Sequence, residues 1–76
     1  MNTDHLVKMV NEIAAFFAGE AGPQEAPKEV ASHMKKFWER RMRLEIVAQY
    51  EKGAAGLSEV ARAAVALTAQ DLKSLP

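Results

Sequence analysis

An all-α fold, with three main helices and a shorter C-terminal helix, is predicted for this chain by three observations. A single apolar stripe at the helical period runs through the first eighteen residues. Pro27 stands where a helix can open, because its missing N–H is not needed in the first turn. Gly53, Gly56 and Ser58 then punctuate the chain before one more apolar run.

The first helix is carried by Leu6, Met9, Val10, Ile13, Phe16 and Phe17. Thr3 or Asp4 can accept from the unpaired N–H groups of its first turn, and Gly19 can end it. Residues 19–26 mix glycine, proline and small polar types and read as a mobile linker. The second helix opens at Pro27, with Glu29 near its positive end. Val30, Met34, Phe37 and Trp38 form its inward face, and Lys35, Lys36 and Arg40 lie largely opposite.

The apolar positions Val30, Met34, Trp38, Met42, Ile46 and Tyr50 recur every four residues. Each step of four drifts by about 40° around a helix, so the stripe rotates by about 200° over the run. One straight helix cannot keep such a stripe on one core. A kink or break near residues 39–41 is therefore expected, with a third helix from about Arg41 to Lys52. Ser58 is a good N-cap for the last helix, with Leu57 as a hydrophobic staple. That helix is expected over residues 59–70, with Val60, Ala64 and Leu67 as its spine, Ala61 and Val65 alongside, and a frayed tail over 71–76.

At 76 residues the chain has room for one domain, residues 1–76. So short a chain buries only about 60% of its unfolded surface. Small proteins often gain support from disulfides, a metal or a partner. Cysteine is absent, which excludes disulfides, thiolate zinc sites and thiol nucleophiles and leaves the partner. Ten basic residues balance ten acidic ones, which argues against a nucleic-acid binder. The charge is uneven along the chain. Residues 1–34 hold two lysines against five acids, net −3, whereas residues 35–43 hold five bases against Glu39, net +4. The longest apolar run, Ile13 to Ala18, has six residues, far short of the roughly 18 that a membrane span requires. Asp4 and Glu12 near the start do not match a signal peptide, and the expectation is a cytoplasmic protein.

No catalytic constellation emerges. Glu29 and His33 share a helix face, but two ligands do not make a metal site, and an exposed histidine with an ordinary ion pair is the reading adopted. Ser32 and His33 point about 100° apart and cannot form a nucleophile–base pair. Ser58 lacks the closing glycine of a nucleophile elbow, and its capping role accounts for it. Within the basic block, Glu39–Arg43 and Arg41–Glu45 are spaced for i, i+4 pairs. Arg43 falls on the apolar arc between Ile46 and Val47, where it can snorkel or offer its guanidinium fork to a partner's carboxylate or phosphate. The adjacent aromatics Phe16–Phe17 and Phe37–Trp38 splay apart, so one of each pair belongs to the core and the other widens the apolar surface. Aromatic residues and arginine are enriched in interface hot spots. Trp38, Arg40, Arg41, Met42 and Arg43 are thus the candidate partner-binding residues, with no catalytic and no metal-binding residue assigned.

The segments His5-Leu6-Val7-Lys8-Met9, Asn11-Glu12-Ile13, Phe16-Phe17, His33, Phe37-Trp38, Arg41-Met42-Arg43 and Gly56-Leu57-Ser58 together resemble the delta subunit of soluble NAD-dependent formate dehydrogenases. The likeness spans about residues 5–67, and Phe37, Trp38, Arg41 and Met42 are its most specific part. It implies a place in a complex whose alpha subunit carries a molybdenum or tungsten pterin and iron–sulfur clusters, while other subunits handle flavin and NAD. It also implies a non-catalytic subunit with no cofactor of its own, which docks on the alpha subunit and supports assembly, cofactor insertion or stability. A maturation chaperone is a further candidate partner. Members of that family often have Asp-Pro between the Trp and the Arg, where this chain has Glu39-Arg40. Two other readings use the same basic block. One is a maturation factor whose Lys35, Lys36, Arg40, Arg41 or Arg43 touches the pterin pyrophosphate; the other is a small helical nucleic-acid binder, which the neutral charge disfavours.

Overall fold

A computed structural model describes residues 3–74. They form four helices, α1 (Thr3–Ala21), α2 (Ala26–Phe37), α3 (Arg40–Glu51) and α4 (Glu59–Ser74). The helices α2 and α4 pack together most extensively, α1 lies against both of them, and α3 closes the bundle against α4 and α1.

The boundaries differ from the sequence expectation in physically simple ways. Helix α1 runs through Gly19 and stops at Ala21, because the residue that takes the left-handed conformation is Gly22, with φ +83°. The Gly22 N–H still donates to the Ala18 carbonyl, and Pro23 follows where no helix can continue. The α1–α2 connection is therefore residues 22–25 and not 19–26. Thr3 is itself helical, and its hydroxyl donates to Glu45 at 3.2 Å, tying the start of α1 to α3. The expected break between the second and third helices is present, slightly earlier than read. Trp38 (ψ 136°) and Glu39 (ψ 152°) are both extended. Those two residues reset the rotation, so the every-fourth-residue stripe stays inward: Val30, Met34, Trp38 and Ile46 are buried, and Met42 and Tyr50 pack against them.

Helix α4 is not the shorter element. It has 16 residues against 12 in α2 and in α3, and the tail expected to fray is helical to Ser74. Residues 75 and 76 lie outside the described residues. Ser58 caps α4 as expected, its Oγ accepting the Ala61 N–H at 3.2 Å. The inward face of α4 is rotated from the expected one: Ala61, Ala64, Val65, Thr68 and Ala69 are buried, whereas Val60 and Leu67 are half-buried. Thr68 makes this possible. Its hydroxyl lies 3.1 Å from the Ala64 carbonyl, so a polar residue enters the core without an orphaned donor.

Asn11 supplies a tie that the periodicity did not show. Its Nδ2 donates to the Gly56 carbonyl at 2.8 Å, and its Oδ1 accepts the Ser58 N–H at 2.9 Å. One side chain of α1 thereby holds both sides of the loop that starts α4. Gly56 is required there: its φ is +82°, and a Cβ would stand 3.3 Å from Val7 Cγ1.

Small residues set the close approach of α4. Ala61 and Ala64 are fully buried in the core cluster. Ala64→Leu is expected to lower stability by about 1–3 kcal/mol through overpacking. Ala63→Leu, at an exposed neighbour, should stay within about 0.5 kcal/mol. Thermal unfolding followed by circular dichroism separates the two.

Candidate docking surface

The break after α2 decides which aromatic residues face outward. Trp38 leaves the helix in an extended conformation, donates its backbone N–H to the Met34 carbonyl at 2.8 Å, and is buried at 5% exposure. Phe37, expected in the core, is 71% exposed. Helix rotation alone does not put it outside, because Phe37 lies about 60° from Met34, the same offset as the buried Ala31. The place beside Met34 is filled by Trp38, and Phe37 is left at the edge shared with His33.

There it completes a row of rings. Phe16 and Phe17 of α1 meet edge to face at 5.1 Å between centroids, Phe17 meets His33 of α2 at 6.2 Å, and His33 meets Phe37 at 4.8 Å. Such spacings lie in the range of favourable aromatic pairs. The row is exposed at both ends, with Phe16 at 61%, and half-buried in the middle. His33 was expected to be solvent-facing; instead it lies between two phenyl rings, and its Nδ1 is shut from solvent with no hydrogen-bond partner. A shallow cavity of about 330 Å³ lies alongside, lined by Glu12, Ile13, Phe16, Phe17 and His33. The tandem aromatic pairs were the signal in the sequence. Which member of the second pair turns outward depends on the break.

The basic block adjoins the Phe37 end. Arg40 and Arg41 are exposed, Met42 and Arg43 are half-buried, and Trp38 is in the core. Of the five sequence candidates, the two exposed arginines thus form the free surface, and Trp38 holds the segment from beneath. Arg43 enters the apolar arc as read, and its Nε is buried with no hydrogen-bond partner. Neither i, i+4 pair closes within 4.0 Å among the described residues, and Glu45 is engaged by Thr3 instead. Helix α3 also begins without a side-chain cap and without an acid in its first turn. Positive side chains and the positive end of the helix dipole therefore coincide, which favours negative groups nearby.

Among the described residues no three His, Cys, Asp or Glu side chains come together to hold a metal ion, and the chain has no cysteine for an iron–sulfur cluster. No helix among them is long and apolar enough to cross a membrane. A groove lined in part by Asp4, Lys8, Asn11, Gln49 and Gly56 is wide and open.

The family model described as NADH-dependent formate dehydrogenase delta subunit FdsD matches residues 5–65. No curated protein and no solved structure matches the chain.

Proposed function

The chain belongs to the NADH-dependent formate dehydrogenase delta-subunit family, and from that membership we propose that it is a cytoplasmic, non-catalytic accessory subunit that docks on the alpha subunit. In this role it supports assembly, cofactor insertion or stability of the complex. The molybdenum or tungsten pterin, the iron–sulfur clusters and the flavin then belong to partner subunits. The observation that carries the reading is the row Phe16–Phe17–His33–Phe37, whose two terminal rings are more than half exposed in so small a domain. Exposed rings of this kind gain by being covered, and contiguous exposed apolar surface marks interaction sites.

A second reading, direct contact with the pyrophosphate of the pterin, draws on Arg40 and Arg41 standing exposed at the uncapped start of α3. Expressing the enzyme complex with and without this chain tests the accessory role. Without it, the yield of assembled complex or the pterin content of the alpha subunit should fall. Equal yield, pterin content and formate oxidation in both preparations would contradict the proposal. The purified chain alone should not oxidise formate.

A further inference from the structure

We infer that the aromatic row and the basic segment beside it form one docking surface, and that its occupant is an amphipathic, acidic helix of about three turns on the partner subunit. This inference rests on the docking role proposed above and specifies the chemistry of the contact. The centroid steps of 5.1, 6.2 and 4.8 Å make a ridge no longer than about 16 Å, the length of three helical turns. An apolar stripe on such a helix would cover Phe16 and Phe37 together, and a longer straight contact would overrun the rings.

Charge selects the sign of the occupant. Lys36 precedes Phe37, and Arg40 and Arg41 follow the break, all exposed. They belong to a segment of net +4 in a chain of zero net charge. At the start of α3, Glu39 is the N-cap without a side-chain cap hydrogen bond and no acid follows in the first turn, so the helix dipole adds the same sign. On the α1 side of the ridge, Glu12 and Glu20 stand at i−4 and i+4 from Phe16, and Glu12 also lines the cavity beside Phe17 and His33. The occupant therefore carries its carboxylates at the end that meets Phe37 and the basic segment. A second copy of this chain would supply only Glu12 and Glu20 opposite each basic segment, and its pairing is one outcome of the test below.

The test uses the full chain co-expressed with the alpha subunit. Phe16→Ser, Phe37→Ser and the pair Arg40→Glu with Arg41→Glu change exposed side chains, and circular dichroism should show each folded. Each is expected to weaken recovery of the alpha subunit by at least about thirtyfold, the loss typical of a hot-spot residue. The double arginine variant should also reduce the salt sensitivity of binding. Lys52→Glu, on an exposed position after α3, should bind as wild type. Zero-length carbodiimide crosslinking of the wild-type complex should join Lys36 to an Asp or Glu of an amphipathic helix in the alpha subunit.

If the wild-type chain does not bind the alpha subunit at all, the docking role itself fails. If it binds and the three surface variants bind equally well, the role stands and this surface is overturned. Crosslinks from Lys36 only to non-helical segments would also overturn it. So would a dimer of the isolated chain that is lost in Phe37→Ser, which would make a second copy the occupant.

Discussion

Trp38→Ala is expected to lower stability by about 3–5 kcal/mol, most or all of what holds a domain of this size. Trp38 is 5% exposed and joins the core cluster with Val30, Met34 and Ile46. It also fills the corner where the chain leaves α2 and starts α3, so its loss opens a cavity at the junction of two helices. Phe37→Ala is the informative partner experiment. With 71% of the residue already in solvent, that change should stay within about 0.5 kcal/mol. Urea or thermal unfolding of both variants decides the matter. A Phe37→Ala protein less stable than Trp38→Ala would reverse the assignment of core and surface.

Met34→Ala is expected to cost about 2–5 kcal/mol. Met34 is fully buried between α2 and α4, with its Sδ 3.9 Å from the Thr68 hydroxyl. That hydroxyl has the Ala64 carbonyl as a second acceptor, so truncating Met34 leaves no orphaned donor and the cost is that of a cavity. Met34→Leu restores nearly the same volume and should cost less than about 1.5 kcal/mol. Denaturant unfolding of the pair distinguishes packing from chemistry. If leucine is as damaging as alanine, the sulfur contact, and not the volume, is what Met34 supplies.

Much of the fold was legible because helical periodicity and local punctuation were strong. The Ser58 cap and the need for a break before α3 follow from residue spacing and are present; the α1 stripe holds apart from the exposed Phe16 and the buried Ala14, and α2 starts at Ala26, one residue before Pro27. What escaped the reading depended on tertiary choices between locally equivalent residues. Gly19 and Gly22 are both able to end α1, and only the path of the chain selects the second. Phe37 and Trp38 are adjacent and both apolar; which one enters the core is set by the extended backbone at Trp38, and no proline or glycine marks that point. Thr68 breaks the apolar pattern of α4 as a polar residue, yet its hydrogen bond to the Ala64 carbonyl permits burial. The bridge from Asn11 to Gly56 and Ser58 joins residues more than forty positions apart, beyond the reach of any local pattern. The same logic applies to the candidate surface. The arginines were visible as a charge run, whereas the row from Phe16 to Phe37 exists only once α1 and α2 pack side by side.

The central claim is that this chain works by binding another subunit, and co-purification measures that directly. The tagged chain, expressed with the formate dehydrogenase subunits of its own host, should bring down the alpha subunit in fixed stoichiometry. Mass spectrometry should identify that subunit, and Phe37→Ser and the double arginine variant should lose it while remaining helical. A folded wild-type chain that purifies free of the alpha subunit, beside a complex that assembles and oxidises formate without it, would contradict the account.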